Sequence, residues 1–262
     1  MKTKYFTSHF SASNLVFMQM SGSTAENKNP RNDSSFDLAN GYYSSFHSLS
    51  KAKEQSEMLS CFASKLAAFI LGFLGKRKHV LKNNALPDSF YRRCLKQFLQ
   101  YNPAFCKESN GTMLVALKQM MHILRAAGIV QMESGKTFAC DINTETISFY
   151  YMLFDAFWNR VEWQDIFPAD EEAAAALQAD KSMLTDILYR QKGPVDINYL
   201  ANEFFDLTGF ANQGDIEAIG FLDFYLFFWL KNFNIINYSD TDAGITVELT
   251  GAGKKIISAM RR

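Results

Sequence analysis

Leu124-Arg125-Ala126-Ala127-Gly128-Ile129-Val130 and Leu230-Lys231-Asn232-Phe233-Asn234-Ile235-Ile236 are two versions of one local instruction. In each, an apolar helix runs into a residue suited to positive φ and an aliphatic pair follows. A short polar turn, a strand and a capped helix come after. Gly128 and Asn234 hold the same place, where helices commonly end in a left-handed residue that glycine adopts freely and asparagine at modest cost. The repetition predicts two units built on one plan.

Working outward from Gly128, Met58, Phe62, Leu66, Phe69, Ile70 and Phe73 recur at three- and four-residue intervals, so the spacing predicts a helix over 57–74 closed by Gly75. Leu86-Pro87-Asp88 reads as a helix start, with Phe90, Cys94, Leu95, Phe98 and Leu99 on its buried face and Asn102-Pro103 at its end. Met113, Leu114, Leu117, Met120, Met121 and Leu124 form a third stripe. Beyond the reversal, Glu133-Ser134-Gly135-Lys136 is a polar turn between extended pieces, and Phe138, Cys140 and Ile142 alternate like a half-buried strand. Asn143 or Thr144 is placed to cap the next helix. That helix carries Ile147, Tyr150, Tyr151, Phe154, Phe157 and Trp158 and has to be buried by something.

Around Asn234 the same order returns. Pro168 and the run Asp170 to Ala176 begin a connector helix, with acids where the macrodipole favours them. Met183, Leu184, Ile187 and Leu188 precede a Gly193-Pro194 turn, and Ile197, Leu200, Phe204, Phe205 and Leu207 lead to Gly209. A third helix is predicted over 219–233. Asp240-Thr241-Asp242-Ala243-Gly244 is the tip of a second hairpin, Ile245, Val247 and Leu249 alternate in its return strand, and Thr250 caps a basic terminal helix. The fold class is therefore mainly α with small β wings, two winged-helix-like units joined by helices. Residues 1–55 read as a flexible leader, too polar between 21 and 55 to offset their ordering entropy. Phe36, Tyr42, Tyr43 and Phe46 within it are suited to docking on a surface. The first unit occupies 56–168 and the second 169–262.

Composition sets limits. The 262 residues are 48% hydrophobic and 15% aromatic, ample for a buried core. Basic and acidic residues number 27 each, so no global field favours nucleic acid or an anionic membrane. Any such binding has to come from a local patch. Cys61, Cys94, Cys106 and Cys140 lie far apart without metal-ligand spacing and read as free thiols of a reducing cytoplasm. The apolar run from Leu66 to Leu74 is bounded by Lys65 and Lys76-Arg77-Lys78, about half the ~20 residues of a membrane span.

Catalytic patterns are scarce. There is no GxSxG, HExxH, P-loop or GxGxxG, and His9, His47, His79 and His122 sit in unrelated contexts. Gly251-Ala252-Gly253-Lys254 lacks the remaining phosphate-loop spacing. Glu171-Glu172 and Asp240/Asp242 do not supply the convergent oxygens of a metal site. The sequence leans away from an enzyme and implies no cofactor or metal.

Leu81-Lys82-Asn83-Asn84-Ala85-Leu86-Pro87, the helix ending at Gly128, Phe154 to Trp163 with its two tryptophans, and Thr250-Gly251-Ala252-Gly253 together resemble a group of poorly characterised bacterial winged-helix-like proteins over roughly residues 66–258. The resemblance implies a fold and carries no catalytic residues across. Two binding roles follow as expectations. Lys76, Arg77, Lys78, Lys82, Arg92, Arg93 and Lys96 concentrate positive charge, and Lys118, Gln119 and Arg125 mark the polar side of the first unit's third helix. These residues are candidates to contact nucleic acid in a regulatory role such as transcription. The alternative is an adaptor or homodimer that buries Tyr151, Phe154, Trp158, Trp163, Phe224 and Phe228 against another chain.

Overall fold

The computed structural model describes residues 52–75, 78–81, 85–107, 109–167, 171–209, 222–241 and 244–260. Expectations for residues 1–51, for Lys76, Arg77 and Lys82, and for the first turn at Pro168 to Asp170 lie outside them.

The apolar stripe around Phe62 forms two helices, not one. Helix α1 (Ala52–Ser60) and α2 (Phe62–Leu74) meet at 54°. The chain breaks at Cys61, which is extended (φ −65°, ψ 160°), and Ser64 Oγ donates to Met58 O at 3.0 Å across the bend. Ordered structure thus reaches further back than the expected leader boundary. Residues 52–55 are helical, and Glu54 is held by Lys255 Nζ at 2.5 Å.

The first unit continues with β1 (His79–Val80), α3 (Asp88–Tyr101), a 3-10 turn (Pro103–Lys107), α4 (Asn110–Ala126), β2 (Val130–Glu133) and β3 (Lys136–Ala139). Its antiparallel sheet runs β1-β3-β2, with His79 opposite Thr137 and Val130 opposite Ala139. Next come α5 (Ile147–Asp155), a π-helical turn (Ala156–Arg160) and α6 (Trp163–Ile166). Thr146, not Asn143 or Thr144, caps α5, its Oγ1 accepting from Phe149 N–H; Asn143 instead accepts from Glu145 N–H in the turn before. A short hydroxyl reaches the free amides only from the residue next to the helix.

The second unit repeats the order: α7 (Glu171–Arg190), β4 (Val195–Asp196), α8 (Ile197–Thr208), a π-helical stretch (Leu222–Phe227) running into α9 (Phe228–Asn232), then β5 (Ile236–Thr241) and β6 (Gly244–Leu249). Its antiparallel sheet runs β4-β6-β5. The expected connector is not a separate element. Residues 171–190 are one 20-residue helix, because nothing between the Ala-rich start and Arg190 breaks it. Among the described residues no single helix is long and apolar enough to cross a membrane.

The two reversals agree bond for bond. Gly128 (φ 74°) donates to Arg125 O at 2.9 Å and Ile129 to Leu124 O at 3.0 Å; Asn234 (φ 57°) donates to Lys231 O at 2.9 Å and Ile235 to Leu230 O at 2.8 Å. After each hairpin the chain returns to the same carbonyl, Cys140 N–H to Ile129 O and Thr250 N–H to Ile235 O. Cys94, Leu95 and Phe98 of α3 are matched without insertion by buried Leu200, Ala201 and Phe204 of α8. One plan thus fixes the local geometry of both units.

Helix α5 fills the space between them. Tyr150 Oη donates to Phe233 O at 2.7 Å, and the Phe157 ring lies 5.5 Å from those of Trp163 and Phe233 and 6.0 Å from that of Trp229. Tyr151, Phe154, Trp158 and Trp163, expected at an interface with another chain, are all buried within their own chain. A second unit of the same molecule supplies the apolar cover that another chain was expected to give. Phe228 is half-buried against Phe62 and Trp229, whereas the expectation for the Phe224 side chain lies outside the described residues.

Helix α10 (Gly251–Met260) closes the fold on the second reversal. Thr250 Oγ1 donates to Asn234 O at 2.7 Å and accepts from Gly253 N–H at 2.8 Å. A Cβ at Gly253 would lie 2.0 Å from Ile235 O, so the glycine is required for contact between the helix and the reversal. Gly253→Ala is expected to lower stability by about 2–3 kcal/mol in urea unfolding. Gly251→Ala, whose Cβ would meet only Glu54 at 3.6 Å, is expected to change it by less than about 1 kcal/mol.

Candidate nucleic-acid interface

Helix α3 begins with Asp88 in its first turn, where the macrodipole favours an acid, and buries Phe90, Tyr91, Cys94, Leu95 and Phe98. That spacing sends Arg92, Arg93 and Lys96 to the opposite, exposed side. None of the three has an ion-pair partner among the described residues; Arg93 Nε donates to Ser89 O at 3.3 Å, and Arg92 contributes a weak attraction to Asp88.

Other basic candidates are engaged. Lys78 reaches Glu133 at 2.6 Å and lies 5.0 Å from the centre of the Phe138 ring, joining the start of β1 to the β2–β3 hairpin. Lys118 of α4 reaches Asp88 at 2.9 Å and sits over Tyr91. The Asp88 carboxyl is held below its ordinary range by that hydrogen bond and charge.

The rest of the expected surface on α4 turns inward. Gln119 is 6% exposed, and its Nε2 donates to Ile166 O at 2.7 Å while its Oε1 accepts from Trp229 Nε1 at 2.9 Å. It cannot contact a base while it ties α4 to α6 and α9. The sequence held a signal for this, since Val115 and Ile123 flank Gln119 one helical turn away on either side. Arg125 is half-buried, with Nε and Nη2 lacking a hydrogen-bond partner, and burial pulls its guanidinium below the ordinary value against the opposing influence of Tyr91. Burial also pushes the His122 imidazole down, helped by Arg125 and opposed by Asp165.

Charged and polar side chains between Asp155 and Lys181 also serve the fold. Asp155 pairs with Arg160 at 2.6 Å, and Lys181 donates to Trp158 O while lying over the Trp158 and Trp163 rings. Gln178 bonds the backbone of Val161 and Trp163, fastening α7 to α6. Among the described residues no group of His, Cys, Asp or Glu converges to hold a metal ion.

Of the expected nucleic-acid residues, the structure therefore brings Arg92, Arg93 and Lys96 together on one open helix face. It withdraws Gln119 and leaves Arg125 mostly covered. Comparison with protein-family models, curated proteins and solved structures finds no match for this chain.

Gln119→Leu removes both buried bonds and leaves Trp229 Nε1 and Ile166 O unpaired, so a loss of about 2–4 kcal/mol is expected by chemical denaturation. Stability should also fall in mild acid. The folded-state value of His122 lies below the ordinary 6.5, so the unfolded chain takes up the proton more readily. Stability is full above that ordinary value and is lost as pH drops through it toward the folded value. His122→Gln should flatten this part of the profile of unfolding midpoint against pH.

Proposed function

We propose that the chain is a non-catalytic nucleic-acid-associated protein made of two fused winged-helix-like units, binding phosphates on the outer face of α3. The observation that carries this reading is where the unpaired cations lie. Lys78, Lys118, Arg160, Arg190 and Lys255 each hold a carboxylate, and exposed lysines such as Lys65, Lys136 and Lys192 have none among the described residues; Arg92, Arg93 and Lys96 have none either and lie together on one helix face. Unpaired cations one helical turn apart, at about 6 Å rise, can meet successive phosphates without first breaking an internal ion pair.

The helix, strand, helix, helix, hairpin order of each unit supports the winged-helix-like description, as does the resemblance noted from the sequence. The second unit has a different role. Its α8 places Asn198, Tyr199 and Asn202 where α3 has Arg92, Arg93 and Lys96, so it presents no cation there. That unit completes the core through Trp229 and Phe233. A regulatory protein that associates with nucleic acid through one unit and stabilises it with the other accounts for both surfaces.

Fluorescence anisotropy with labelled oligonucleotides over a salt series tests the reading. Each phosphate contact contributes about 0.7–0.9 to the slope of log affinity against log salt, so replacing all three cations with Ala should reduce it by roughly 2 to 3. Absence of binding by the wild type at low salt would sink the proposal.

A further inference from the structure

The open face of α3 continues past its cations. Arg93, Gln97 and Tyr101 follow at four-residue intervals, and Arg92, Lys96 and Gln100 form the adjacent row, all exposed. Tyr101, the last residue of the helix, is 76% exposed. Its ring lies 6.2 Å from that of Phe69, tilted by 45°, which orients it while most of its surface stays open to solvent. From Arg93 to Tyr101 the helix rises about 12 Å.

We propose that this face is a binding site for single-stranded nucleic acid: Arg92, Arg93 and Lys96 hold consecutive phosphates, Gln97 and Gln100 meet polar base or sugar edges, and Tyr101 stacks on a base. The inference rests on the reading of α3 as a phosphate surface and adds strandedness to it. A duplex keeps its base faces stacked on one another and offers none to an aromatic ring, whereas a single strand presents them freely. Reading a duplex through its groove would call on α4, whose Gln119 is spent inside and whose Lys118 is held by Asp88. The matching positions of α8 carry Asn198, Tyr199, Asn202, Glu203, Asp206 and Leu207, with two carboxylates and no cation, so the site belongs to the first unit alone.

The test measures anisotropy of a labelled oligothymidylate, and of a duplex of equal length, with the full chain and its Tyr101→Ala and Tyr101→Phe variants. Wild type should bind the single strand more tightly than the duplex. Tyr101→Ala should weaken single-strand binding about 5- to 100-fold with an unchanged salt slope, because an uncharged ring displaces no counterion. Tyr101→Phe should retain the affinity, and circular dichroism should show both variants folded, as expected for an exposed position. Equal or tighter duplex binding by wild type, or single-strand affinity untouched by Tyr101→Ala, overturns the inference and leaves the phosphate surface standing. Failure to bind either probe removes both.

Discussion

One buried amide joins the two halves of this molecule. Gln119 receives the indole N–H of Trp229 and donates to the carbonyl of Ile166, so α4, α6 and α9 share a polar contact inside an otherwise apolar core. A polar group in such a place is costly unless its partners are satisfied, which gives the packing of the units a preferred register. The rings around it pack at centroid separations of 5.5–6.0 Å and fill the remaining space. Tyr150 repeats the arrangement on α5, burying its ring and donating its hydroxyl hydrogen bond to Phe233 O.

This junction decides which surfaces are left for function. A third helix in this order of elements would ordinarily be the one to offer side chains to a groove, yet α4 gives its central glutamine to the core and its lysine to Asp88. Charge that remains open lies one helix earlier. The face of α3 is available because Phe90, Cys94, Leu95 and Phe98 turn its other side to the core. The same burial pattern in α8 exposes different chemistry, so two units with one backbone plan differ in what they can bind.

Much of the local structure was legible. The left-handed residues Gly128 and Asn234, the cap at Thr250, the end of α8 at Gly209 and the alternation of Val247 and Leu249 follow from propensities acting over a few residues. The bend at Cys61 was not, because the stripe of apolar residues continues through it and the extended backbone at that point is fixed by neighbours such as Ser64. Gly251-Ala252-Gly253-Lys254 faintly suggests a phosphate loop in sequence but lacks its spacing and reads as the start of the terminal helix. In the fold Gly253 is there because Ile235 O comes too close to admit a Cβ.

The candidate site divided along the same line. Arg92, Arg93 and Lys96 could be placed on one side of a helix from spacing alone, and they remain exposed. Gln119, flanked by Val115 and Ile123, and the aromatic set from Tyr151 to Trp163 could be placed on apolar helix faces, but what covers those faces could not be read from the sequence. By itself, then, the sequence determined the repeated order of elements, their ends and the faces of each helix, since these depend on φ/ψ preference and residue period. Only the tertiary structure decided which faces are covered, because burial depends on contacts between residues as distant as Gln119 and Trp229, and no local pattern names the partner.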